Sequence, residues 1–320
     1  MPLRPPIFGF GASTLIAEVP ATLRLAAQAD RDGLDLLTVS DHAYFSDRLD
    51  AYAALGIVLG RTERICGLVS VTNLPTRPAP MLARTVTSLS ALSGGRIVLG
   101  MGAGGLWDEI ARFGVPRLGP AAAVRAFAEG ITLVKALSGD GGNAAGTDSD
   151  PKATWDADGL LTFDGEFYQV HGLRPAPVPP PPVWTGSVGP QSLAVTGRLA
   201  DGWIPGHAAD WHSERYRNSR PVIDAAAEQA GRARGDVATI YNLPGVITTD
   251  PLAATRDRDG RWLGGSVGQW VEELTGAVLD HGASGFVLFP ARGEPDEVSI
   301  ARWAREIAPA VREAVAAAAG

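Results

Sequence analysis

The chain has 320 residues, with 28 Lys plus Arg against 35 Asp plus Glu, a formal charge of -7, 45% hydrophobic residues and 20% charged ones. Its basic residues are scattered rather than drawn into a stripe, which argues against nucleic acid and anionic membranes as partners and for a small-molecule substrate. A single cysteine, Cys66, excludes an intramolecular disulfide and fits a cytoplasmic protein; no signal-peptide pattern opens the chain, and no apolar run approaches the roughly 18 residues of a membrane span.

From the N-terminus a strand-then-helix rhythm sets in. Residues 7–13 read as a short Gly-rich strand and 19–32 as a helix with apolar residues at helical spacing. Residues 36–41 form a compact apolar run, as in a strand buried on both faces, and 49–59 read as the next helix. The β-branched run 64–72 predicts a strand. Pro78 stands near a helix start, the periodicity of 81–92 continues it, and Gly94-Gly95 ends it. Residues 96–102 predict a fourth strand and 121–137 a helix.

The rhythm then breaks. A polar, Gly-rich excursion of roughly 20 residues follows residue 138, and 161–170 alternate around Asp164-Gly165, a hairpin signal. The run PAPVPPPP at 175–182 is extended. Strands are expected again at 183–187, 201–205, 239–248 and 285–290, with helices at 191–199, 225–233, 266–281 and 298–318. Eight strands alternating with helices in one series favour an α/β fold of the closed (β/α)8 TIM-barrel type over an open sheet. The whole of 1–320 then forms one domain with an insertion at about 138–182.

Three segments carry candidate chemistry. Residues 100–105 satisfy G-x-G-x-x-G, but no strand follows within the unit, so the dinucleotide-binding reading fails. Glycines such as Gly102 at the end of a barrel strand instead allow close approach of a ligand. In 185–192 a strand feeds a Gly/Ser turn and a Pro-started helix. That is either an anion site at a helix N-terminus or a plain tight turn. Ser40-Asp41-His42 ends the second strand, on the face where barrels place their chemistry, and a histidine there suits proton transfer. Trp107, just after the fourth strand, offers a flat stacking surface at the substrate pocket. No H-x-H, H-E-x-x-H or Cys/His pair supports a metal site, and no G-x-S-x-G supports a serine hydrolase.

Taken in order, residues 93–104, 181–205, 281–290 and the closing helix with Glu306-Ile307-Ala308-Pro309 resemble the luciferase-like monooxygenase superfamily. The resemblance covers nearly the whole chain. It implies a TIM barrel and a homodimer, with coenzyme F420, or alternatively FMN, at the C-terminal face. It implies that Gly186, Ser187, Val188 and Gly189 take the cofactor phosphate and that Ser70-Val71 forms a cis-peptide bulge behind the ring. It also implies that Asp41 contacts the cofactor and that His42 is the acid or base. Sugar-phosphate dehydrogenases of the family carry a glutamate after the fourth strand. We align Ala103 with it, which argues against a sugar phosphate as substrate. Hydride transfer between F420 and a small organic substrate is the leading expectation. An FMN-dependent monooxygenase and a non-catalytic cofactor-binding barrel are the alternatives.

Overall fold

All four residues of Leu36–Val39 are buried, as in a strand covered on both faces. Leu36 packs with Leu68, Val98, Trp184, Ile204, Ile240 and Val287. Leu37 and Val39 pack the other way, among helical residues such as Leu25, Leu55 and Val86. This division, with period two along the strand, repeats around the molecule and separates a barrel interior from a shell between barrel and helices.

The structure is a computed structural model, and the residues it describes are 5–139, 152–290 and 296–319. Eight strands make the barrel: β1 (Ile7–Gly11), β2 (Leu36–Val39), β3 (Cys66–Val69), β4 (Ile97–Gly102), β5 (Val183–Thr185), β6 (Gly202–Trp203), β7 (Ala238–Thr248) and β8 (Gly285–Pro290). Each pairs in parallel with the next, and β8 pairs with β1 at Ile7↔Gly285. The sheet therefore closes, as the eight-strand rhythm predicts. A two-residue extension, Thr72–Asn73, pairs with the end of β4, and Gly264–Ser266 pairs with the end of β7.

The helices alternate with the strands: α1 (Val19–Asp32), α2 (Ala51–Leu59), α3 (Ala79–Ser93), α4 (Pro120–Ala136), α5 (Pro190–Leu199), α6 (Glu214–Gln229) and α7 (Val267–His281). The last, α8, runs as Asp296–Arg302, a π turn at Trp303–Ile307 and Ala308–Ala319. Left-handed glycines end three of them, Gly33, Gly94 and Gly282.

Some expectations shift. The helix predicted at 225–233 begins at Glu214 and passes through Pro221. Ser213 caps its first turn, and Arg220 ties it to the carbonyls of Val237 and Arg234. The helix thus starts 11 residues before the predicted segment, with Pro221 inside it. The hairpin gains a third strand: Ala153–Trp155, Leu161–Asp164 and Gln169–Leu173 form an antiparallel sheet. The polar excursion after residue 138 lies for its larger part, 140–151, outside the described residues. Among the described residues no helix is long and apolar enough to cross a membrane.

Candidate active site

The C-terminal ends of the strands bring most of the sequence-predicted residues to one mouth. Val71 follows β3 across a cis peptide bond from Ser70, and the Ser70 N–H donates to the Val39 carbonyl at 2.8 Å. The Val71 side chain then lies between two glycines from neighbouring strand ends. A Cβ on Gly102 would fall 2.8 Å from Val71 Cγ2, and one on Gly186 would fall 3.1 and 3.3 Å from its two methyls. The ends of β3, β4 and β5 therefore meet at one point, where a side chain at 102 would displace Val71 and one at 186 would press on it.

Beside that point opens a cavity of about 510 Å³ lined by Ala103, Gly104, Trp107, Arg117, Gly186, Ser187 and Val188, and by the start of α4 at Gly119-Pro120. Its walls suit an anion. Both α4 and α5 begin from glycine, Gly119 and Gly189, with proline next and no side-chain cap on the first turn. Their free N–H groups and positive dipole ends stay available. Ser192, on the first turn of α5, sends its hydroxyl back to the Gly189 carbonyl, 2.9 Å away, and so caps no N–H.

The turn between β5 and α5 is rigidly seated. The Ser187 carbonyl accepts from the Trp203 indole at 2.9 Å, and its hydroxyl accepts from Thr196 at 2.9 Å, which in turn meets Thr185 at 2.7 Å. Val188 is 60% exposed at the tip. Arg117 adds positive charge. Its ion pair with Asp108 joins side chains 63% and 88% exposed, an arrangement worth at most about 1 kcal/mol, so the guanidinium is easily redirected.

A second cluster stands on the loop after β2. Asp41 does not present its carboxylate to the mouth: the side chain is 1% exposed. It accepts from Arg77 at 2.9 and 2.7 Å and from the Asn73 N–H at 3.0 Å. Arg77 reaches on to Asp50 at 2.7 Å and lies over the Tyr52 ring. Asp41 thus lies beneath the loop and ties it to the segment that follows Val71. Burial works against the charge on Arg77, but the two carboxylates outweigh it and hold the group firmly protonated.

His42 is partly buried, with Nδ1 2.6 Å from the Tyr44 hydroxyl. Burial, and then the charge on Arg48, push its pKa below the ordinary histidine value against the pull of Asp41. Burial and the carboxylates of Asp41 and Glu109 push Tyr44 up.

On the far arc, His207 follows β6. It bridges to Asn242 and stands edge-on to Phe289, 5.2 Å away. The Oδ1 atoms of Asn73 and Asn242 and the hydroxyl of Thr14 are buried with no partner among the described residues, so polar capacity remains around the mouth. Among the described residues no group of three or more His, Cys, Asp or Glu is placed to hold a metal. Tyr44, Arg77, Glu109 and Arg117 were not singled out in the sequence. The positional signal that picked His42, a polar residue in a βα loop, applies to Arg77 and Glu109 as well.

Two uncapped helix starts and Arg117 thus border one cavity beside a glycine-lined strand junction. The luciferase-like monooxygenase family model matches residues 7–318. The chain belongs to that family. It is an enzyme of the luciferase-like group, similar to an F420-dependent glucose-6-phosphate dehydrogenase of Nakamurella multipartita, with 28% identity over 79% of this chain and 71% of that protein. Solved structures that share its fold include the following two. One is the coenzyme F420-dependent tetrahydromethanopterin reductase of Methanopyrus kandleri, with TM-score 0.74, 17% identity, and 96% and 99% of the two chains covered. The other is a riboflavin lyase with modified FMN and riboflavin, with TM-score 0.75, 14% identity, and 97% and 92% covered.

Proposed function

We propose that this luciferase-like enzyme transfers hydride between coenzyme F420 and a small organic substrate. The observation that carries the reading is the cavity at Gly186-Ser187, where two glycine-started helices and Arg117 face the same space. The named F420 dependence of the Nakamurella relative supports the deazaflavin over FMN.

In this reading Gly186, Ser187, Val188 and Gly189 hold the cofactor phosphate through backbone N–H groups and the α5 dipole. Ser70, Val71 and Gly102 back the ring, and Trp107, which shares a cavity wall with Gly186 and Ser187 rather than lining a separate substrate pocket, packs against the cofactor. Asp41 acts from below by fixing the loop that carries His42. The cofactor, when bound, accepts or donates the hydride. The chain's own part is to orient it, exclude water and move one proton at His42. His42 suits that work because it is neutral at neutral pH.

The test is a fluorescence titration of the purified protein with oxidised F420 and, separately, FMN. Saturable quenching by F420 with a Kd below about 100 μM is expected; no binding of either overturns the reading. Tighter binding of FMN, with oxygen consumed once an FMN reductase is added, would select a monooxygenase instead. The fold shared with the FMN-bearing lyase keeps that second reading in place.

A further inference from the structure

Asn242 stands on β7 where the barrel interior turns from apolar to polar. Its register partner on β8 is Val287, and Ile240 lies two residues before it. Both belong to the apolar interior with Leu36 and Trp184, whereas Tyr241 and Leu243 pack outward among the helices. Parallel partners share a face, so Asn242 points inward above that apolar floor. The residue is 8% exposed. Its Oδ1 is shut in without a partner, and Nδ2 donates to no described residue yet is not shut in. A buried carboxamide without a bond weakens a fold, where an apolar side chain of like shape does not.

The strand beside it bends to bring a second group there. Gly202 and Trp203 pair with Ala238 and Thr239, but His207 pairs with Asn242. The β6 side thus carries one extra residue, a bulge of the kind that re-aims a side chain. Gly206 and Ala208 take positive φ, 117° and 58°, and Ala208 is the one non-glycine among the described residues to do so. The bulge sets the His207 ring edge-on to Phe289. The Phe289 ring in turn lies over Gly11, where a Cβ would meet it at 2.1 Å. His207 is exposed, and its ring makes no hydrogen bond to a described residue. In a closed ring of eight strands β6 and β7 stand opposite β2 and β3. His207 and Asn242 therefore lie across the mouth from His42 and Val71.

We propose that Asn242, with His207 beside it, is a specificity-determining residue that holds an uncharged oxygen of the substrate, a hydroxyl or carbonyl remote from the carbon that exchanges hydride. A carboxamide suits either group. Its N–H donates to a carbonyl, and a half-turn about its last torsion presents the oxygen to a hydroxyl. Phe289 packs the carbon skeleton beside it. Asn242 brings no charge, and Arg215, which lies against Gly206, donates to the Pro205 carbonyl at 3.1 Å. A carboxylate or phosphate seated on the carboxamide would lose its hydration without a counter-charge from it. This inference rests on the reading of the barrel mouth as the site of hydride transfer.

The experiment compares wild type with Asn242→Leu, each with and without oxidised F420, by ligand-observed NMR titration and thermal melting. The probes are acetophenone, ethylbenzene, which has the same skeleton without the oxygen, and benzoate. Wild type is expected to bind acetophenone about five- to tenfold more tightly than ethylbenzene, as one hydrogen bond gives, and to keep it when F420 is present. Asn242→Leu is expected to lose that preference and to melt about 2 °C higher, because a shut-in oxygen without a partner is gone. Equal binding of the two probes by wild type overturns the proposal. So does a preference for benzoate, displacement of acetophenone by F420, or a leucine variant that keeps the preference. A leucine variant that folds but melts lower shows Asn242 to serve the fold and also overturns it. Should that variant not fold, Asn242→Ala is read for the same loss of preference. A protein that binds no F420 yet prefers acetophenone through Asn242 overturns the proposed function and leaves this binding site standing.

Discussion

Val71 fills the gap between two strand ends, and its shape decides what can stand on either side. Valine is stiff about χ1, so it cannot swing clear of the Cβ that would approach its methyl at 2.8 Å from position 102. Gly102→Ala is therefore expected to displace Val71 and to raise the Kd for F420 about tenfold, roughly 1.4 kcal/mol. Adding Val71→Ala should restore most of the loss, which a fluorescence titration of the single and double variants will read. His42 makes a prediction of its own. Burial and Arg48 lower its pKa, so the base form is present at neutral pH. It is lost only as pH falls through a value below the ordinary histidine value of about 6.5. In the direction where a substrate proton is removed, kcat/KM should be flat near neutrality and fall on the acid side of that point. A fall already under way near neutrality would contradict it. The place of His42 on the loop after β2 was legible in the sequence, because a strand end announced it. The burial of Asp41 was not, because its partner Arg77 lies 36 residues further along, and no local pattern joins them.

Among the elements, the three-stranded insertion shows how a peripheral unit is held. Glu129, buried on α4, accepts from Lys152 at 2.8 Å and from the N–H groups of Glu166, Phe167 and Tyr168 at 2.8, 2.8 and 3.3 Å. Burial opposes its ionisation, but these bonds outweigh it and hold the carboxyl below the usual range. A depressed folded pKa gives stability that is complete above the unfolded value of about 4.3 and is lost as pH falls through the folded one. The insertion should thus stay docked at neutral and mildly acid pH and loosen only in stronger acid. Glu129→Ala leaves three backbone donors without their acceptor and should cost about 3 kcal/mol in urea unfolding. An unchanged midpoint would show that the insertion docks by other means. The sequence showed the hairpin through Asp164-Gly165, but not its third strand, since Ala153–Trp155 is only three residues long. The start of α6 at Glu214 was not read from the sequence, and the helix carries Pro221 within it. What admits that helix is a close approach to α5, where a Cβ on Gly197 would fall 2.3 Å from the Ile223 carbonyl, a contact between two separate stretches of chain.

Over the whole molecule, the barrel was legible because its strands are apolar on both faces and follow one another in sequence order. Its closure depends on its shortest member, the two-residue β6 that pairs with β5 on one side and β7 on the other. Gly202 in that strand lies against the Trp184 indole, which a Cβ would approach to 2.5 Å. Gly202→Ala should overpack the interior at a cost of about 3 kcal/mol. It should also speed amide exchange along β5 and β7 before the opposite wall, which hydrogen-exchange mass spectrometry can resolve. The glycine starts of α4 and α5 carry a different consequence. A helix whose N-cap is glycine rather than Ser, Thr, Asn or Asp typically forgoes roughly a few tenths of a kcal/mol, and here two such helices, started by Gly119 and Gly189, face one cavity. An anion seated there adds stability that grows with the logarithm of its concentration, about 2.7 kcal/mol at a hundred times Kd. Loading and folding thereby become one equilibrium. If the proposed cofactor takes that place, cells short of it should hold less of this protein, as degradation draws on the unloaded chain, and its abundance would follow supply with no regulator in between.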